Sequence, residues 1–425
     1  MTTFSAWRTV GVLWAGRAAV VAAVVVLPAV AWAGTTWDGG VIDTDFTTGA
    51  NWDDNSAPTF TGGTSTLSFG IGGSTATVNT AADLARIILD RDASFTIANG
   101  SGSLTFQGED VGGVLTGITA SPTTVGTTAA YTISESIALG ASQSWNVANN
   151  GAGGTSLSVS GVISGAGVGL TKISSGTLAL TGANTFSGPL TVAEGVLSIN
   201  SWNSANTNGP LGNNAANVVL GSATSAGTLR YTGGNSIPNA LLRGIELAAG
   251  GGVIQMGGTG RDDGYVHLNG SSISGSGPLT INSPGMTRFI IVGSSTFSGP
   301  VAVQAGELQG SVLGSGTFTP FGVGTNGLGS AVTVDAGAIL TTYSNFGTPT
   351  VLLGSLAGSG TVRTETSGSQ LQIGGDDTST TFSGQLQGTF APVKVGSGTL
   401  ALTGANTFSG PLTVAEGVLS INSWN

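Results

Sequence analysis

Residue types able to do chemistry are sparse in this sequence and gather in three places. Arg261-Asp262-Asp263 precede His267, the sole histidine of the chain, and Asp376 and Asp377 stand side by side. Asp38, Asp43, Asp45, Asp53 and Asp54 crowd together beside Trp37 and Trp52. Two carboxylates held roughly 5–10 Å apart would suit glycoside hydrolysis, and a basic side chain beside carboxylates would suit a polysaccharide lyase. In a period-two strand Tyr265 and His267 share a face while Val266 points away. A protruding loop followed by a strand with one solvated face explains Arg261–His267 equally, and it is the favoured reading. The aspartates at 38–54 are hard oxygen donors of the kind calcium takes, but their spacing fits neither an EF-hand loop nor a glycine-aspartate nonapeptide. A polar cap whose tryptophans cover one end of the fold is favoured there.

Trp145, Trp202 and Trp424 offer flat apolar rings that could stack on a sugar. Trp202 and Trp424 fall at equivalent places in a duplicated stretch, as do Glu194 and Glu416, so packing and solvated turns are the favoured roles. One histidine and no cysteine leave no thiolate metal site, no disulfide framework and no second histidine for a catalytic array. Short glycine-rich strings resembling phosphate loops arise by chance at 73 glycines, and no helix follows them. The sequence therefore assigns no catalytic, cofactor-binding or metal-ligating residue.

What positions these residues is a repeat. The stretch Ser175–Asn203, SGTLALTGANTFSGPLTVAEGVLSINSWN, returns unchanged at Ser397–Asn425. A looser echo lies between them at Ser295–Gly310, and the shared FSGP recurs at Phe186, Phe297 and Phe408 in equal steps. Leu178 and Leu180 alternate with Thr177, Ala179 and Thr181, the period of a strand with one buried face. GANTFSGP is turn chemistry, Leu190–Val192 a second short strand, and Leu197 and Ile199 flank Ser198 in a third. Such short strands bury an apolar face only by stacking coil on coil, which predicts a parallel β-solenoid. Disorder fits poorly with 40% apolar residues, and an antiparallel sandwich fits self-similarity less well. Alternating runs from Thr66–Phe69 to Leu157–Val159 extend the pattern upstream. Ala81–Leu89 has helical propensity, but its strand-rich surroundings favour a strand. The step from one FSGP to the next predicts five turns of about 20–25 residues.

Gly176–Leu197 and Gly398–Leu419 read G-x-L-x-L-x-G-x-N-T-F-S-G, followed by P-L-T-V-x-x-G-x-L with Leu190 preceding Thr191, and Thr296–Leu308 matches in part. Here the sequence resembles autotransporter-associated β-strand repeat proteins, whose unit is also described as a passenger-associated transport repeat. WDGG at Trp37, NWDDNSAP at Asn51, IALGASQSWNV at Ile137 and GVISGAGVGLTK at Gly161 extend the likeness. The resemblance implies a right-handed parallel β-helix passenger, displayed on or released from a Gram-negative-type cell. It also implies an outer-membrane β-barrel translocator in a full-length relative. That barrel is not seen before Asn425, so a fragment or another export route is expected.

Residues 1–33 read as a secretory signal: Arg8 and Arg17, an unbroken apolar run Ala18–Val26, Pro28, then Ala31-Trp32-Ala33 before Gly34. A retained anchor is the alternative, but the apolar core is shorter than the roughly 18–20 residues a span needs. No later helix-like segment is apolar enough to span lipid. The expected divisions are the signal at 1–33, a cap at 34–60 and an all-β solenoid at 61–425. A net charge of −10 excludes a phosphate-neutralising nucleic-acid binder. The expected function is an exported, non-catalytic, adhesin-like passenger segment presenting loops to host or environmental glycans or proteins. A β-helix glycan lyase or hydrolase and a secreted matrix or fibre component are the alternatives.

Overall fold

The computed structural model describes residues 35–37, 45, 46, 48, 51, 52, 60, 62–70, 73–234, 243–258, 260, 266–269, 273–312, 314–344 and 347–422. All belong to one compact unit spanning Gly34–Asn425. The signal at 1–33, Arg261, Asp262, Asp263, Tyr265, Asp38, Asp43, Asp53, Asp54 and Trp424 lie outside the described residues.

Alternation of apolar and hydroxyl residues gives strands, and glycine corners keep them short. Every named element among the described residues is a strand, in sheets of 14, 15, 7 and 5 strands. Pairing among them is parallel except for one hairpin and the Trp37–Trp52 bridge. Successive coils lie in register, so that Leu157, Leu178, Leu197, Leu229 and Ile254 stack as one inward ladder. All five are fully buried, while Thr177 and Ala179 stay half-buried on the outer face. This is the expected parallel β-solenoid.

Each coil has three faces. The 15-stranded sheet is one of them. The 14-stranded sheet supplies the other two in the upstream half, because Ala81–Leu89 is a single strand that runs through a corner. Its Ala81–Leu84 pairs with Ser103–Phe106, and its Ile87–Leu89 with Val114–Ala120. Downstream, the 7- and 5-stranded sheets take over those two positions. The strand reading of Ala81–Leu89 holds, since tertiary pairing outweighs the helical propensity of a short segment.

The repeat is phased differently from the expectation of five turns. Thr177–Leu180 and Thr399–Leu402 lie nine steps apart along the same 15-stranded sheet, so the verbatim copies are separated by nine coils of about 25 residues. One FSGP step on from Thr177–Leu180, the strand leading into the middle echo is instead Arg288–Val292 in the 7-stranded sheet, four coils and one face after the first copy. Equal spacing along the chain is thus unequal phasing around the coil, because coil lengths vary with their corner loops. Phe186 and Phe297 of the FSGP turns nevertheless both point into the core and are fully buried.

At the N-terminal side Trp37, Phe46 and Trp52 are buried against Phe69. Trp37 and Trp52 meet edge to face with ring centroids 5.2 Å apart, and the Trp52 indole donates to the Phe46 carbonyl at 3.1 Å. Asp45 accepts from the Asn79 side chain at 2.8 Å.

Candidate functional site

Of the adjacent carboxylates singled out in the sequence, Asp376 and Asp377 lie within the described residues and turn to separate partners. Asp376 Oδ1 accepts from the Thr378 backbone N–H at 3.1 Å and hydroxyl at 2.7 Å, closing its own turn. Asp377, held at φ 63°, accepts from the Ser397 N–H at 2.7 Å and so caps the next coil. Adjacent carboxylates here serve two different turns. Trp145 is fully buried and Trp202 nearly so. Trp202 stacks on Phe289 with centroids 6.1 Å apart and donates to the Arg243 carbonyl at 3.2 Å. Both rings therefore pack the interior and present no platform to a sugar. Glu194 and Glu416 are exposed in turns, as expected.

His267 falls in the strand Val266–Asn269, in register with Ile290 and, through successive coils, with Gln309, Thr341 and Arg363. Outward-facing charged residues on this sheet form a clasp that sequence reasoning missed. Glu307 is fully buried, accepting from the Thr341 hydroxyl at 2.7 Å and the Arg363 guanidinium at 3.1 Å. Glu365 lies 3.7 Å from the same guanidinium. Arg288 donates to Gln309 at 3.0 Å, and Gln309 to Ser311 at 2.8 Å. Buried charge is tolerated only when paired and hydrogen-bonded, so this arrangement ties coils together. A carboxylate neutralised by an arginine is a poor general base.

One excursion leaves the parallel coil. Glu109–Val111 and Val114–Ala120 form an antiparallel hairpin whose tip, Gly112 and Gly113, takes φ 65° and 88°. Positive φ at both central residues is the tight hairpin turn that glycine pairs favour. The Gly-Gly between apolar runs was the signal available in the sequence. Glu109 anchors the hairpin, accepting from Arg86 at 3.3 Å and Thr66 at 3.0 Å. Val111 and Val114 at the tip are each 42% exposed. A groove of about 390 Å³ runs between Val114 and Leu115 on the hairpin and Ser144, Thr171 and Pro189 on the coils, and its lining carries no charge.

The second feature missed is that both lysines of the chain are buried, 0% exposed at Lys172 and 2% at Lys394. Each points into a corner of the coil, where backbone carbonyls surround the ammonium. Lys172 Nζ donates to the carbonyls of Ile173 at 2.9 Å, Glu194 at 3.2 Å, Val147 at 3.4 Å and Ser174. Lys394 Nζ donates to Val395 at 2.6 Å, Gly396 at 2.7 Å and Glu416 at 3.4 Å. Burial pushes the Lys172 pKa down to about 7, against a smaller upward pull from the Glu194 charge. The sequence hinted at this, since each lysine stands just ahead of one verbatim copy.

Comparison with known proteins locates these features within a described unit. The model of the passenger-associated-transport-repeat family matches residues 170–199, 287–309 and 393–421, the first and last segments each beginning just ahead of a caged lysine. The chain is 30% identical over 266 residues to the adhesin BmaC autotransporter of Brucella suis biovar 1 (strain 1330), covering 59% of this chain. It spans only 7% of that relative's length. No solved structure matches. This chain therefore carries the passenger-associated transport repeat in three copies, two of them verbatim and the middle one turned by one face of the coil.

Proposed function

We propose that this chain is a stretch of an exported, adhesin-like passenger, a non-catalytic β-helix that holds loops in place at the cell surface or outside the cell. The observation that carries this reading is the threefold match to a transport-associated passenger repeat on stacked parallel coils. The likeness to a protein named as an adhesin autotransporter supports it. Under this reading residues 1–33 are removed on export, 34–60 cap the solenoid, and an outer-membrane translocator belongs to the full-length protein. Host or environmental glycans or proteins would be met by excursions such as the Glu109–Ala120 hairpin, because the regular faces are satisfied by their own ladders.

Antibodies raised against the solenoid should label intact producing cells or their medium, and external protease should remove the cell-bound label. Label that appears only after lysis would overturn export. A glycan-cleaving activity lost in the Asp262→Asn/Asp263→Asn double variant would put the lyase or hydrolase reading in its place.

A further inference from the structure

The corners that enclose Lys172 and Lys394 are made like ion sites. We infer that the corner leading into each verbatim repeat is a backbone-carbonyl site for a monovalent cation of ammonium or potassium size, which the chain fills with its own lysine side chain. Three observations carry this. First, the partners are carbonyl oxygens, with no ion-pair carboxylate on either ammonium among the described residues. Neutral oxygens around one positive charge suit a monovalent ion, whereas divalent ions are held by carboxylates.

Second, the backbone is shaped for the cage. Ser174 at φ 66° and Gly396 at φ 68° take the left-handed conformation at equivalent positions, and both give their carbonyls to Nζ. Gly195 and Gly417, at φ 71° and 70°, close the other side, where a Cβ would come 2.9 Å from Nζ in each copy. Third, the middle unit keeps the same corner without the lysine: Gly285 and Gly306, matching Ser174 and Gly195, take φ 104° and 80°. Counted by the step that separates Phe186 from Phe297, Ser283 takes the place of Lys172 in the middle unit, and its hydroxyl instead accepts from the Met256 N–H at 2.9 Å. A buried ammonium is costly unless such oxygens replace its water. The depressed pKa of Lys172 is the trace of that cost.

Methionine keeps an unbranched apolar stem but ends one atom short of where Nζ sits, so Lys172→Met vacates the site and little else. The test is thermal unfolding of the full chain at about pH 6, below the Lys172 pKa of about 7, in choline, lithium, potassium and ammonium chloride of equal ionic strength. The native chain should unfold at the same temperature in all four. Lys172→Met should unfold several degrees lower in choline and lithium and recover in potassium or ammonium, with saturable potassium binding by calorimetry that the native chain lacks. Equal unfolding of the variant in every salt overturns the inference. So does failure of both Lys172→Met and Lys394→Met to fold with potassium and ammonium present, because a vacated site should refill.

Discussion

Lys172 makes the stability of the coil depend on pH in a defined direction. Its pKa is about 7 in the folded chain and 10.5 as an ordinary lysine. Between those values the unfolded chain holds a proton that the folded chain has lost, so stability rises with pH across that window. Below about 7 both states are protonated and the dependence from this group vanishes. The whole window is worth on the order of several kcal/mol, and Lys172→Met should flatten the profile of denaturant midpoint against pH from about 7 to 10.5. At Leu178 the argument is simpler. The side chain is fully buried in the inward ladder, so Leu178→Asp should cost about 3–5 kcal/mol by burying an unpaired charge. An unchanged denaturant midpoint would contradict its inward position. These two residues mark what the sequence could and could not show. Leucine at alternate positions declares a buried face by itself. A lysine declares nothing about a carbonyl contributed by Val147 of the preceding coil until the coils are stacked.

Strands and corners follow the same division. Strand positions were readable because period-two alternation is local, and Ala81–Leu89 was readable against its propensity because its neighbours alternate. The Gly112-Gly113 hairpin was readable in principle from its turn chemistry and was missed amid abundant glycine. Which of the many glycines are obligatory was not readable, since the answer depends on the adjacent coil. A Cβ at Gly195 would lie 2.3 Å from the Ser174 carbonyl oxygen and 2.6 Å from that of Gly176, whereas one at Gly112 meets nothing within 4 Å. Both glycines have positive φ, so substitution by alanine adds about 1–2 kcal/mol of backbone strain at either. Gly195→Ala should lower the unfolding midpoint well beyond Gly112→Ala, and equal effects would show that the corner around Lys172 can open. Likewise the clasp of Glu307, Thr341 and Arg363 joins residues from three separate coils, a separation that no local pattern encodes.

Across the whole solenoid each coil is sealed by the next: Leu190 is fully buried beneath the coil that contains Val218–Leu220. Leu190→Ala should therefore cost about 2–5 kcal/mol, as read by thermal unfolding of the variant beside the native chain. The nine-coil phasing has a further effect. Two identical FSGP turns follow strands of one sheet, on the same side, separated by nine strand spacings or on the order of 40 Å, while the middle turn is rotated away by one face. A two-headed ligand with a tether of that reach would engage both outer turns at once, its second attachment becoming intramolecular and its avidity exceeding either single contact. A shorter tether would gain nothing.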